Sequence, residues 1–544
     1  MIEKSFVFKI NDNGSGPSLL HQVCLERGWQ EYSDENVTKE RWNIWWRTTG
    51  FPVAQCKSLK KWQFTNYIPK AYSICRKDKL SRYLKRMRNN YGHIFDFSPD
   101  AFVLPSEYLK LVEVSSPLDV WIVKPVGLSQ GRGISLFRKV SELNNPSHSV
   151  VQRYIQNPLL IGGYKFDLRL YVCVPSFHPL TVYAYREGLA RFSTDKFSLN
   201  DLSNKYAHLT NCSVNKQGPG YLEMKDKVGA GCKWSLKQLR YYLNQNGYDD
   251  WLLWQRINKL IVLTVASQLS GVPHTSNSFV FYGFDVLIDV ELKPWLLEVN
   301  LSPGLCTDCD IDPAVKKPML HDMFDLLGLP VCNTGLSVFS YKGASIYSES
   351  DSSSDEDYMS YGKNNRTSAS FVALAHKWKK QITPTSNRTK IKENSVVSKL
   401  HSSSFNRNRK GCYEPKNPLQ TSDMKKQVQA RREESSLSKW GNGRDWREPP
   451  SSFGDWCRLY PYFNVVVPSY CISKECSEPP NDKGLRPIIT EVSKYFKMAR
   501  EVFIKYKSAD DHAKNFAMKE ELKVSEAIWH PTVMENYKQT LHSN

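Results

Sequence analysis

FYGFDVLIDVELKPWLLEVNLSPG, residues 281 to 304, is the stretch whose reading decides the fold. In its first half Phe284, Val286 and Ile288 alternate with Asp285 and Leu287, the period of two expected of a strand with one buried face. A turn falls at Asp289 to Lys293. On the return Trp295, Leu297 and Val299 point one way, and Leu296, Glu298 and Asn300 the other. If the hairpin pairs Asp285 with that second face, two carboxylates and an amide converge. Such a set suits Mg²⁺ held by few protein oxygens plus substrate phosphates. The alternative is an edge hairpin carrying solvated acids.

Upstream, WIVKPVGLSQGRGISLF sets Lys124 at the end of a strand, before a loop containing Gly127, Gly131 and Gly133. Glycines let backbone amides approach a phosphate, and the lysine adds a point charge. The loop is neither a P-loop nor a complete dinucleotide fingerprint. Next, GGYKFDLRLYVCV alternates strictly. Lys165, Asp167, Arg169 and Tyr171 line one face, and Phe166, Leu168, Leu170 and Val172 the other. Three charges in a row are costly to bury unpaired, so this face wants either a charged ligand or cross-strand ion pairs.

The 544 residues, 40% hydrophobic and 12% aromatic, can bury a sizeable core and exclude a wholly disordered protein. The opening MIEKSFVFKINDNG lacks a signal-peptide pattern, and no apolar run is long enough for a membrane span. A soluble cytosolic chain without membrane insertion is expected. Thirteen cysteines without a regular framework imply free thiols in a reducing compartment. Cys306 and Cys309 form the lone C-x-x-C, and a zinc site would need a second pair. The net charge of +19 is concentrated. Between Tyr361 and Pro450 there are 20 Lys and Arg against 7 Asp and Glu. Such an arm attracts polyanions or simply solvates a linker. It carries no aromatic RNA-binding motif, which argues against nucleic acid.

These signals divide the chain into an N-terminal domain over 1–95, a core of alternating strands and helices over 96–330, an acidic then basic low-complexity linker over 331–450, and a tail over 451–544. The linker opens with SESDSSSDED, and disorder is expected there. In the tail, Ile488, Val492, Tyr495, Phe496, Ala499, Val502 and Phe503 recur at helical spacing and predict an amphipathic helix near 486–508. WLLWQRINKLIVLTVASQL predicts another helix in the core.

Lys124 with its glycine loop, VVQRYI, GGYKFDLR, HLTNCSVNK and the GFD…LEVN hairpin, in that order, resemble the tubulin tyrosine ligase-like family of ATP-grasp ligases. The resemblance covers roughly residues 95 to 330. It implies an α+β fold with an ATP-grasp-like core of mixed sheets and flanking helices, a smaller N-terminal domain, and a largely disordered basic C-terminal extension. ATP would lie between two sheets under a flexible loop and phosphorylate a carboxylate, which an amine then attacks. By the resemblance Lys124, Arg169 and Glu298 are catalytic. Lys124 and Lys165 meet phosphates or adenine, Arg132 and Gly133 sit in the covering loop, and Gln152, Arg153, Tyr154 and Ile155 run along the adenine edge. Phe166, Asp167, Thr210 and Asn211 complete the nucleotide contacts, and Asp285, Glu298 and Asn300 hold Mg²⁺. Arg191, Ser213, Lys233 and Lys316 match positions that bind free glutamate in the glutamylase branch, and a cationic pocket suits an anionic amino acid.

The implied activity is glutamate addition to acidic tubulin tails, at microtubules in the cytoplasm, cilium, flagellum or basal body. A glycylase, a ligase for another acidic protein, and a microtubule-binding protein of weak or partner-dependent activity are the alternatives. Cys212 replaces an aromatic residue common in the family, and Leu301 a polar one. The basic arm does not clearly match the helical microtubule-binding extension of autonomous glutamylases, so accessory subunits are a further expected partner.

Overall fold

The computed structural model describes residues 6–33, 41–51, 53–143, 148–222, 232–332, 438–462, 482–509 and 520–522. The acidic run and the basic arm as far as residue 437 lie outside them. All the candidate site residues lie within.

The architecture is α+β, as expected, and three sheets organise it. The largest has eight strands. Its main path runs Pro294–Leu301, Val280–Ile288, Tyr164–Phe177, Leu180–Lys196, Trp456–Tyr460 and Ser452–Phe453, with Lys233–Ser235 and Leu160–Ile161 as side members. Every pairing in it is antiparallel. The alternation in KFDLRLYVCV works as read. Phe166, Leu168, Leu170 and Val172 enter one hydrophobic core, with the helix Trp251–Ala266, and Tyr171 and Cys173 enter another on the opposite side. Because both sides of the sheet are covered, all of Val280–Ile288 is buried, not one face of it alone.

A second sheet orders Ala101–Leu104, Ser149–Arg153, Trp121–Pro125 and Ser135–Phe137, again antiparallel. Its small core joins Phe102, Leu111, Trp121, Phe137 and Val151. The third sheet is parallel and N-terminal: Gln30–Glu31, Val7–Ile10, Ile44–Trp46 and Phe64–Thr65.

The packing departs from the expected boundaries in two places. Residue 95 does not separate two cores. Ile68, Ile74, Leu80, Leu84, Met87 and Phe95 belong to the core beneath the large sheet, whereas Phe6, Phe8, Ile44 and Trp46 pack with Phe281 and the helix Ile311–Leu326. Nor does the linker run to residue 450. Trp440 and Trp446 are buried against each other at 5.1 Å, and Trp440 also meets Phe64. Burying one such side chain contributes roughly 2–3 kcal/mol, enough to hold a Gly- and Arg-rich segment that its composition alone reads as loop.

Beyond it Trp456–Tyr460 extends the large sheet, and the helix Arg486–Lys505, inside the range predicted, places Ile488, Ile489 and Val492 in the main core. Its later turns stack Phe503 on Trp251. The expected tail is thus, where described, part of the folded unit. Among the described residues no helix is long and apolar enough to cross a membrane.

Candidate active site

The hairpin brings the three expected ligands together, but the alternation breaks in its return strand: Leu296 enters the main core with Val299, and Leu297 lines the cleft with Glu298. Asp285 stands opposite Glu298 and Gly283 opposite Asn300, with an irregularity just after Asp285. The turn is locked by Asp289, which accepts from the main-chain N–H of Glu291 and Lys293, both at 2.9 Å, and from the Trp295 indole at 2.8 Å. Asn300 Nδ2 then reaches Glu298 Oε1 at 3.2 Å and Asp285 Oδ2 at 3.4 Å. The three oxygen-bearing side chains converge.

The neighbouring strands continue the charged face. Arg169 pairs in register with Asp285, Asp167 with Arg191, and Arg191 with Lys233. Arg169 Nε donates to Asp285 Oδ1 at 2.6 Å, and Arg191 binds Asp167 through two nitrogens at 2.8 and 2.6 Å while standing 2.9 Å from Asp285 Oδ2. Burial would raise the Asp285 pKa, but Arg169 and Arg191 outweigh it and hold the carboxyl well below its ordinary value. Glu298 has no cation within ion-pair distance among the described residues. Burial, then the charge of Asp285, push its pKa up. An acid that is half-buried, without an ion-pair partner and beside a second carboxylate is the donor a divalent cation would satisfy. Glu298 with Asp285 and the Asn300 amide therefore fit Mg²⁺, although as placed it is the nitrogen of Asn300 that faces the carboxylates.

Between this wall and the second sheet lies a cleft of about 840 Å³, including space open to solvent. That size suits a nucleotide. Lys124, Arg132, Gln152, Tyr154, Ile155, Lys165, Asp167, Thr210, Asn211, Asp285 and Glu298 line it. Lys124 donates to Gln152 Oε1 at 2.8 Å, and Lys165 to the Tyr154 hydroxyl and the His208 carbonyl, each at 2.8 Å. Neither lysine has a carboxylate in hydrogen-bond reach. Burial pushes Lys165 down to about 7, and Lys124 to about 8 with repulsion from Lys77 adding to it.

The glycine loop closes over this space. Gln130, Gly131 and Gly133 have positive φ, and a Cβ on Gly131 would come within 2.7 Å of Val214 and 3.1 Å of Asn211. Lys77 Nζ donates to the Leu128 carbonyl at 2.8 Å and the Ser213 hydroxyl to the Gln130 carbonyl at 3.1 Å, so the loop is held from two sides.

Three expected contributors meet the cleft less directly. Phe166 points into the core and does not line the cleft. The Arg153 side chain lines the cleft region, but its guanidinium is committed to Asp119 and Asp100 and lies over Trp121. Gly133 packs its backbone against Pro125 in the loop.

The four glutamate candidates divide. Arg191 belongs to the Asp167–Asp285 network, and Ser213 is exposed and fastens the loop. Lys233 and Lys316 do meet, through Asp312, at 2.7 and 2.8 Å. Burial would push Lys233 down, yet Cys212 and the Asp312 carboxylate beside it hold it above the ordinary lysine value. Sequence reading missed Lys77, His208, Asp308 and Asp312. Asp312 was findable, since it lies four residues before Lys316 on a helix; Lys77 was hidden in a run of basic residues.

A phosphate-sized loop, a buried cationic cleft between two antiparallel sheets and a two-carboxylate hairpin define the ATP-grasp-like class. Within that class a family model described as the tubulin-tyrosine ligase family matches residues 55–335, more than half of the chain. The chain belongs to that family. It is 44% identical over 335 residues to a Homo sapiens protein named probable tubulin polyglutamylase TTLL2, covering 60% of this chain and 56% of that relative. It is 40% identical over 328 residues to Homo sapiens tubulin polyglutamylase TTLL5, and 38% over 309 residues to Mus musculus tubulin monoglutamylase TTLL4. Those matches take in 58% and 54% of this chain and 25% of each relative. The chain thus spans little more than half the length of the first of these relatives.

Proposed function

We propose that this protein is an ATP- and Mg²⁺-dependent ligase that joins the amine of free L-glutamate to the γ-carboxylate of glutamate side chains in tubulin C-terminal tails. The observation that carries the reading is Glu298, a half-buried acid without an ion-pair partner beside Asp285 and Asn300, facing a cleft whose two lysines have no carboxylate in hydrogen-bond reach. Names of the similar proteins, tubulin polyglutamylase and monoglutamylase, support the substrate.

Lys124 and Lys165 neutralise the ATP phosphates, and the loop held by Lys77 and Ser213 keeps water out. An acceptor carboxylate oxygen attacks the γ-phosphorus and ADP leaves, giving an acyl phosphate. The glutamate nitrogen then attacks the acyl carbon, releasing phosphate and a proton. No side-chain nucleophile is needed; the protein supplies position and charge. Asp285, Glu298 and Asn300 would hold Mg²⁺, which offsets charge on the phosphate oxygens. Arg169 and Arg191 fix Asp285 in place.

The net charge of +19 favours approach to an acidic microtubule surface, with salt weakening the attraction. Association with the cytoskeleton, ciliary or flagellar microtubules included, follows from that substrate. The test is incorporation of labelled glutamate into tubulin by purified protein with ATP, alone and with ciliary extract, glycine competing. Glutamate incorporation that requires ATP and Mg²⁺ is expected. Preferential glycine transfer would change the amino acid, and no transfer with nucleotide bound would sink the enzyme claim.

A further inference from the structure

The two lysines that meet at Asp312 are already occupied by carboxylates of the chain itself, and the two carboxylates are held very differently. Asp312 is a fixture. It is fully buried, and its Oδ2 accepts from Lys233 at 2.7 Å and from the main-chain N–H of Asp308 and Cys309 at 2.9 and 3.3 Å. Asp308 precedes the helix Ile311–Leu326, and its side chain is 30% exposed. One oxygen takes Lys216 Nζ at 2.7 Å, and the other stands 3.5 Å from Lys233 Nζ. Lys216 is 42% exposed and Lys233 only 3%. The Asp308 carboxylate therefore bridges a lysine in solvent and a lysine in the interior, and occupies the solvent side of Lys233.

We propose that Asp308 is a displaceable resident anion that sets the affinity for the anionic amino acid: a substrate carboxylate replaces it on Lys233, and Asp308 swings out on Lys216. The inference rests on the ligase reading given above. Physically, a 3.5 Å contact of a part-exposed carboxylate is weak and is readily exchanged, whereas Asp312, held by two backbone donors and two lysines, is not. Asp308 thus acts through Lys233 as a specificity-determining group. It raises the concentration of glutamate needed to fill the site and leaves the nucleotide cleft untouched.

The test uses the full chain with Asp308→Asn, Lys216→Met and the double variant. KM for glutamate is measured at saturating ATP and tubulin, and glutamate-dependent thermal stabilisation is measured with a non-hydrolysable ATP analogue. Asp308→Asn is expected to lower the glutamate KM about tenfold with KM for ATP unchanged. Lys216→Met releases Asp308 onto Lys233 and raises the glutamate KM, and the double variant behaves like Asp308→Asn because Lys216 acts only through Asp308. An unchanged or raised KM in Asp308→Asn, or a double variant resembling Lys216→Met, overturns the proposal. If the wild type transfers no glutamate, the stabilisation assay decides separately. Stronger glutamate stabilisation of Asp308→Asn upholds the resident anion although the ligase reading has failed, and no stabilisation of any form overturns both.

Discussion

Lys165 and Lys233 are buried to a similar degree, 6% and 3% exposed, on the same charged sheet, yet their surroundings drive them in opposite directions. Lys165 donates to two neutral oxygens and is pushed down to about 7; Lys233 holds Asp312 and is raised. In the cleft under the glycine loop the cations have no carboxylate in hydrogen-bond reach. The region around Asp312 pairs its own, with Asp312 held firmly and Asp308 loosely. A buried charge is thus informative about binding only once its partner is known, because an internally paired cation costs little to keep and an unpaired one costs much.

This contrast is open to attack, beginning with the largest effect. Asp312→Ala leaves Lys233 with only the part-exposed Asp308 and Lys316 with only the Cys306 carbonyl, and a loss of about 3–5 kcal/mol in urea denaturation is expected. A loss under about 1 kcal/mol would mean that the second region is not self-completed. Glu298→Gln removes the uncompensated acid at constant shape. Glutamate incorporation should fall at least about a hundredfold while the melting temperature holds or rises; undiminished incorporation would overturn the metal assignment.

Lys165→Met replaces an ill-solvated cation with an apolar chain of similar length. ATP affinity should fall about tenfold, read by calorimetry, with stability within about 1 kcal/mol of wild type or above it. Destabilisation on the scale of Asp312→Ala would erase the distinction between the regions. The smallest effect is in protons. The folded pKa of Lys165, about 7, lies below the ordinary lysine value of 10.5, so the unfolded chain binds more protons between these pH values, and this lysine's contribution to the stability of the ligand-free protein rises with pH across that window. A polyanion favours the charged form, so ATP binding at pH 8 should take up protons. Calorimetry in two buffers of different ionisation enthalpy measures this, and net proton release would contradict it.

The hairpin and the KFDLR strand were legible because a period of two assigns each side chain a face whatever the tertiary structure. Asp285, Glu298, Asn300, Lys165, Asp167 and Arg169 accordingly fall where alternation puts them. What alternation does not carry is which charge on another strand or loop arrives opposite. Arg191 is expected as an amino-acid ligand, and the carboxylate that arrives opposite it is Asp167. Asp308 and Asp312 come from a loop and helix that reach Lys233 only in three dimensions. Ser213 and Lys77 act on a loop remote in sequence. The segment 438–462 is illegible for a different reason: glycine, arginine and proline together outnumber its three tryptophans, yet those tryptophans, all buried, decide its fate.

The way that segment docks has a consequence for the integrity of the chain. Asn442 Nδ2 donates to the carbonyls of Leu327 and Gly328 at 2.9 and 3.0 Å, and the Cys332 N–H donates to the Arg27 carbonyl, so the described segments on either side of residues 333–437 are fastened to the same part of the fold. The pieces on either side meet through the interior: a strand added to the large sheet, three buried tryptophans and a helix on the main core. A backbone severed within the stretch would leave two polypeptides that remain one particle, joined as subunits are.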